Sequence, residues 1–324
     1  MADKKVLWIL ADNRTGSVAQ ARGIAQQLDT ERYDVIEKKL DYTKLSGLPN
    51  FVRADTLVGL STASKASIKA PWPDLVMSVS RRTVPVARYI KKKNQTTKLI
   101  QLMHPGSIGL TEFSLVLLPE HDKDKPFLPN FRYLIGAPHR VTSAVLEEQK
   151  NEWMPSFDNL PKPLTAVVIG GAIKKRPFTL QNAAELAEKI VAFHKKVGGS
   201  LLVTTSRRTG AEAQELIMSA LKDIPAYKFV WGDTGQNPYL GYLACADYLL
   251  VTGDSVSMCS EACGTGKPVF IFEGDNWLTK KHYHFVHTLY ENNYAAPLDV
   301  KYLKFKPAKA LNAAVDAAAQ IESL

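Results

Sequence analysis

The sequence predicts an α/β protein of two Rossmann-like domains. Three observations carry this expectation. Apolar runs of strand length alternate with helical segments along the chain. Many of these runs empty into a polar loop rich in Gly, Ser, Asp or Arg, as parallel strands do at the edge where ligands bind. The alternation stops in a polar stretch, residues 142–162, with prolines at 155 and 161 and another just after it at 163, and restarts at Leu164. The boundary is placed there, giving an N-terminal domain of residues 1–155 and a C-terminal domain of residues 156–324.

Composition narrows the partners. The chain has 324 residues, 45% of them hydrophobic, enough for two sizeable cores. A formal charge of +9 favours anionic partners: nucleotides, phosphosugars or an anionic membrane surface. Nucleic acid is not expected, since no recognised motif or aromatic–basic interleaving accompanies the charge. Three cysteines cannot build a disulfide framework and suit a reducing compartment. The first apolar run, Val6 to Ala11, is only strand-length and is followed by Asp12. The expectation is a cytoplasmic protein, peripheral to the inner membrane if it meets one.

In chain order, a buried strand at Val6–Leu10 leads into Asp12-Asn13-Arg14-Thr15-Gly16-Ser17 and a helix from about Val18 to Leu28. No GxGxxG follows, so a dinucleotide fingerprint is absent. Strands at Asp74–Val79, Lys98–Met103 and Phe131–Ile135 end in Ser80-Arg81-Arg82-Thr83, in His104-Pro105-Gly106-Ser107 and in Gly136-Ala137-Pro138-His139-Arg140. These polar ends should converge on one sheet edge. Each also has a plainer reading: Arg81 and Arg82 as a solvated helix start, His104 as a turn residue, His139-Arg140 as the exit from the domain.

The second series begins with a strand at Thr165–Ile169, then Gly170-Gly171 and the basic run Lys174-Lys175-Arg176, then a helix from about Leu180 to Lys196. The strand Ser200–Thr204 empties into Thr205-Ser206-Arg207-Arg208-Thr209. Backbone amides at a Gly pair, and arginines with their bidentate fork, suit a phosphate. A short strand, Tyr227–Trp231, and a helix starting at Asn237-Pro238-Tyr239 lead to DYLLVTGDSVSMCSEACGTGKPVFIFE, Asp247 to Glu273. This reads as strand, capped helix, strand. Asp254, Ser257 and Glu261 are spaced i, i+3, i+7 and should share a face, with Gly253, Asp254 and Ser255 at the mouth of a site. The same spacing also fits an ordinary capped helix with an acidic stripe. Gly264-Thr265-Gly266-Lys267 is no P-loop, because Pro268 replaces the Ser or Thr. His282, His284 and His287 lie on a helix from Trp277 to Asn292, without the ligand spacing of a zinc site, so no metal is expected. A final Ala-rich helix runs from about Pro307 to Ile321.

Gly253 to Pro268 resembles the donor-nucleotide motif of GT-B glycosyltransferases: a small-residue turn, a helix carrying one Glu, then Gly and Pro before a strand. More narrowly, NPYLGYLACADYLLVTGDSVSMCSEACGTGKPV, Asn237 to Val269, is similar to the bacterial relatives of the plant "elongated mitochondria" fission protein family, itself GT-B-like. Asp12-x-Arg14-x-Gly16-x-x-x-Gln20 and GAPHR support the match. The resemblance implies two Rossmann-like domains facing across a cleft, with the terminal helix packed back on the N-terminal domain. It also implies a nucleotide sugar as substrate, with no other cofactor. Glu261 would hold the ribose, while Gly170, Gly171, Arg207, Arg208, Asp254, Ser255 and Ser257 line the donor site. Arg14, Gly16, Gln20, Arg81, Arg82, His139 and Arg140 would lie on the acceptor side.

The implied chemistry is sugar transfer to a cell-envelope type of acceptor. Asp12 is the leading candidate for general base and His104 the next, because Ser17 stands near the place of the His that many such enzymes carry. Asp254 is in tension with this picture, since its charge opposes a diphosphate at the helix start. Nucleotide-sugar epimerisation and a non-catalytic scaffold remain as alternatives.

Overall fold

The structure, a computed structural model, describes residues 4–13, 15–120, 123 and 128–324. The chain forms two compact units, Met1–Arg140 with Ala313–Leu324, and Val141–Asn312.

The first unit is a parallel sheet of β1 (Lys5–Ala11), β2 (Tyr33–Lys39), β3 (Leu75–Ser78), β4 (Lys98–Leu102), β5 (Leu115–Pro119) and β6 (Phe131–Leu134), in the order β2-β1-β3-β4-β5-β6. Its helices are α1 (Thr15–Ala25), α2 (Asn50–Arg53), α3 (Thr62–Ser67) and α4 (Val84–Lys93). Alternation along β1 separates two cores. Leu7 and Ile9 pack with Val18, Ala21 and Ile24 of α1, while Trp8 and Leu10 pack on the other face with Val84, Val86 and Ile90 of α4. The terminal helix, Ala313–Glu322, belongs to the first of these cores, where it buries Ala313, Ala314, Ala317, Ala318 and Ile321. Helix α1 begins earlier than expected, so Gly16 lies in its first turn rather than in a loop.

The second unit contains α5 (Ser143–Trp153), β7 (Leu164–Ile169), α6 (Leu180–Val197), β8 (Ser200–Thr205), α7 (Ala211–Ala220), β9 (Ala226–Phe229), α8 (Tyr239–Cys245), β10 (Tyr248–Thr252), α9 (Val256–Cys263), β11 (Val269–Phe272), α10 (Lys280–Glu291) and β12 (Ala296–Pro297). Its parallel sheet runs β12-β11-β10-β7-β8-β9. Counted within the unit, this is the doubly wound order with a switch point between β7 and β10, where loops diverge and open a crevice. The corresponding switch point of the first unit lies between β1 and β3.

The division falls after Arg140 rather than at 155/156. Helix α5 and the turn after it are held by the second unit. A Cβ on Gly241 of α8 would enter the Trp153 indole. Trp153 stacks on Phe157, whose ring meets Tyr227 and Tyr242 at 5.2 and 5.8 Å. No helix among the described residues is long and apolar enough to cross a membrane.

Candidate functional site

The loops after β7, β8 and β10 form one hydrogen-bonded cluster at the switch point of the second unit. Gly170 donates its amide to Thr252 Oγ1 at 2.7 Å. Ser206 and Thr209 both donate to the Gly170 carbonyl, and the Ala172 amide donates to the Arg208 carbonyl. Both glycines are required by close approach. A Cβ on Gly170 would fall inside the Asp254 carboxylate, and one on Gly171, at φ +150, would strike the Arg208 carbonyl.

Asp254 is the centre of the cluster. Its side chain has no exposed surface, and Oδ2 accepts from the Gly171 amide at 3.0 Å and pairs with Arg208 Nη1 at 2.5 Å. Burial pushes its carboxyl above the ordinary carboxylate value, and Arg208 opposes that push without cancelling it. Two expectations change here. Asp254 neither caps α9 nor shares a helix face with Ser257: Ser255 is the cap, accepting from the Met258 amide, and Asp254 lies one residue before it, turned toward β7. Gly171 and Arg208, expected to meet phosphate, are already engaged by a carboxylate of the chain itself. Ser257 is exposed on the first turn of α9.

Glu261 lies two turns into α9 and is half-buried. Its Oε2 accepts the Tyr239 hydroxyl of α8 at 2.5 Å. Burial and the neighbouring carboxylate hold the Tyr239 phenol well above its ordinary value, so it remains a donor. Arg207 is exposed and has no ion pair among the described residues.

In the first unit, the loops after β1, β3 and β4 also gather at one sheet edge. Asp12, 8% exposed, accepts from Ser80 Oγ at 2.7 Å. Arg82 reaches Asn13 Oδ1 at 3.5 Å. Arg81 lies against Gly106, whose amide donates to His104 Nδ1 at 3.1 Å. Gly16 is exposed and Gln20 half-buried on α1. Arg14 lies outside the described residues. His139 is 4% exposed, and its carbonyl backs onto Gly23 of α1, where any Cβ would collide. Arg140 is exposed at the point where the unit ends. The plainer reading, that this pair marks the exit from the domain, fits these two residues.

A family model described as mitochondrial fission ELM1 matches residues 15–324. The chain belongs to this family. A Rickettsia prowazekii protein, RP120, is 30% identical over 89% of this chain and 89% of its own length. The Arabidopsis thaliana mitochondrial fission protein ELM1 is 29% identical over 71% of this chain and 58% of its own length. Among solved structures, a UDP-GlcNAc 2-epimerase from Methanocaldococcus jannaschii aligns with a TM-score of 0.59 at 12% identity, covering 98% of this chain and 99% of the other. MurG from Acinetobacter baumannii aligns with a TM-score of 0.52 at 13% identity, covering 99% and 100%. At these identities the likeness is one of fold, and the fold is GT-B-like.

Two features of this ELM1-family chain escaped the sequence reading. The tetrapeptide Ser-Arg-Arg-Thr closes both β3 and β8, at Ser80–Thr83 and Ser206–Thr209, with the same turn in each unit. In both, the Ser amide donates to the Thr hydroxyl at 3.1 Å and the second Arg amide donates to the Ser hydroxyl. In both, the first Arg is exposed and the second turns inward. A search for short identical stretches at strand ends would have found it. The other is the placement of His282, the third residue of α10, which bonds Thr279 Oγ1 at 2.7 Å and lies near the Asp254–Arg208 pair. Burial lowers its imidazole below the ordinary value, with Asp254, Arg208 and Lys174 as its charged neighbours.

Proposed function

We propose that this chain binds a nucleotide sugar in its C-terminal unit and transfers the sugar to an acceptor hydroxyl. The observation that carries the reading is Glu261, a half-exposed carboxylate on the helix that leaves the switch point, oriented by the Tyr239 hydroxyl. An aimed, partly open carboxylate suits the paired hydroxyls of a ribose. The diphosphate falls to Arg207, to the start of α9 at half-buried Ser255 and exposed Ser257, and to Lys174, because Arg208 is engaged by Asp254. The M. jannaschii and A. baumannii neighbours support the reading through their fold.

In the transfer, the acceptor oxygen attacks the anomeric carbon and the bond from that carbon to the diphosphate oxygen breaks. The acceptor proton passes to a base, for which Asp12 is the first candidate and His104 the second. The nucleoside diphosphate leaves with its added charge stabilised by Arg207.

One observation favours a second reading, a non-catalytic scaffold. The strongest anion-binding groups at the switch point, the Gly171 amide and Arg208, are satisfied by Asp254. Thermal-shift measurements with sugars of UDP, GDP, CMP and ADP test the main reading, since a ligand of the native state raises the melting temperature. A rise with one nucleotide that is lost in Glu261→Ala supports it; no rise with any favours the scaffold. Incubating a binding nucleotide sugar without acceptor tests for epimerisation, which needs none.

A further inference from the structure

Fifteen large hydrophobic side chains are exposed among the described residues, and five of them fall within residues 45–58 of the first unit. These are Leu45 at 55%, Leu48 at 39%, Phe51 at 68%, Val52 at 54% and Val58 at 40% exposed. A 3-10 turn, Lys44–Gly47, runs through Leu48 and Pro49 directly into α2. Gly59 packs so closely on Leu45 and Ser46 that a Cβ there would lie 3.0 Å from the Ser46 backbone, which ties the end of the segment back to its start. The five side chains thus belong to one folded knob.

The knob is built, not loose. Arg53, 1% exposed, donates to the carbonyls of Val58 and Arg82, both at 3.1 Å. Asn50 Nδ2 donates to the Arg81 carbonyl at 2.8 Å. Leu57 and Tyr42 join the core beneath, while the five apolar side chains point away from it. A cluster of this kind on a protein surface marks an interaction site rather than scattered exposure.

Charge identifies the occupant. Lys44 is exposed in the knob itself, Arg81 is exposed where Asn50 bonds its carbonyl, and Lys65 and Lys69 are exposed in and just after α3, whose cap Ser61 donates its amide to the Asp41 carbonyl. Residues 44–58 contain one acid, Asp55, which pairs with Lys92 at 3.0 Å. Aliphatic and aromatic tips accompanied by exposed cations match a bilayer whose surface is anionic: the tips enter the acyl boundary and the cations meet the headgroups. We infer that residues 44–58 form a membrane-docking knob selective for anionic lipid. This inference does not depend on the nucleotide-sugar reading.

The test is co-sedimentation of the full chain with phosphatidylcholine vesicles, with and without phosphatidylglycerol, at low and high salt. The wild type binds the mixed vesicles, more weakly at high salt, and binds pure phosphatidylcholine poorly. Phe51→Ser weakens binding about tenfold, and each of Lys44→Gln and Lys65→Gln about fivefold. All three positions are exposed, so melting temperatures stay at the wild-type value. Absence of wild-type binding to the mixed vesicles overturns the inference, as does binding that Phe51→Ser leaves unchanged. A wild-type dimer that Phe51→Ser converts to monomer also overturns it, since the occupant is then a second copy.

Discussion

Arg208 Nη1 lies 2.5 Å from Oδ2 of Asp254, an exposed-side cation against a carboxylate with no accessible side-chain surface. The pair ties the loop after β8 to the turn after β10, across the loop that carries Gly170 and Gly171.

The two ends of this pair are not equivalent. Arg208→Ala leaves a buried carboxylate without its cation and costs about 2 kcal/mol, discounted because the guanidinium side is partly solvated. Asp254→Ala releases Arg208 toward water and costs less. Urea denaturation of both variants and of the double variant checks this; equal single-variant losses that add in the double count against it.

Gly170→Ala places a methyl where the Asp254 carboxylate sits. The expected loss is about 2–3 kcal/mol, because the carboxylate must move away from Arg208 and the Gly171 amide. Combining it with Asp254→Ala relieves the collision, so the double variant is more stable than Gly170→Ala alone. Thermal melts of the three variants read this directly.

Glu261→Ala weakens nucleotide-sugar binding by about 1–3 kcal/mol. Tyr239→Phe, which removes only the orienting hydrogen bond, weakens it by about 1 kcal/mol. Calorimetry with the best nucleotide from the thermal screen measures both. If affinity in Glu261→Ala matches wild type, the ribose assignment is wrong.

Lys267 donates to the carbonyls of Leu243 and Ala244 at 2.9 and 2.6 Å, closing the end of α8. Burial lowers its ammonium from 10.5 to about 8. Between these values the unfolded chain holds a proton that the folded chain has released, so this group makes stability rise with pH across that window. Lys267→Met lacks the dependence. The stability difference between the two proteins should move toward the wild type by on the order of 3 kcal/mol from the lower to the upper value. A difference that stays flat in urea melts across this range contradicts the account.

The strand–loop–helix rhythm was legible because parallel strands buried on both faces are short apolar runs with polar ends. The place of Glu261 two turns into its helix was legible from the spacing, and the gathering of Ser80, Arg81, Asp12 and His104 through the rule that loops after parallel strands share one sheet edge. Asp254 was misread for a physical reason. Helical spacing assigns faces only to residues inside the helix, and Asp254 precedes the cap, where the turn aims it at β7. The expected boundary failed similarly: α5 is polar in sequence, but its one buried aromatic, Trp153, docks on Gly241. The apolar knob could not be read at all, since Leu45, Leu48, Phe51 and Val52 resemble core residues until their exposure is known.

The terminal helix gives synthesis and folding different orders. Ala313, Ala314, Ala317, Ala318 and Ile321 share a core with Leu7 and Ile9 at the opposite end of the chain. A ribosome makes the whole first sheet early, yet that sheet keeps one apolar patch uncovered while Val141–Asn312 are still being added. The nascent chain therefore carries an incomplete module while residues 141–312 are made, a period in which a chaperone or a neighbouring nascent chain has access to the gap.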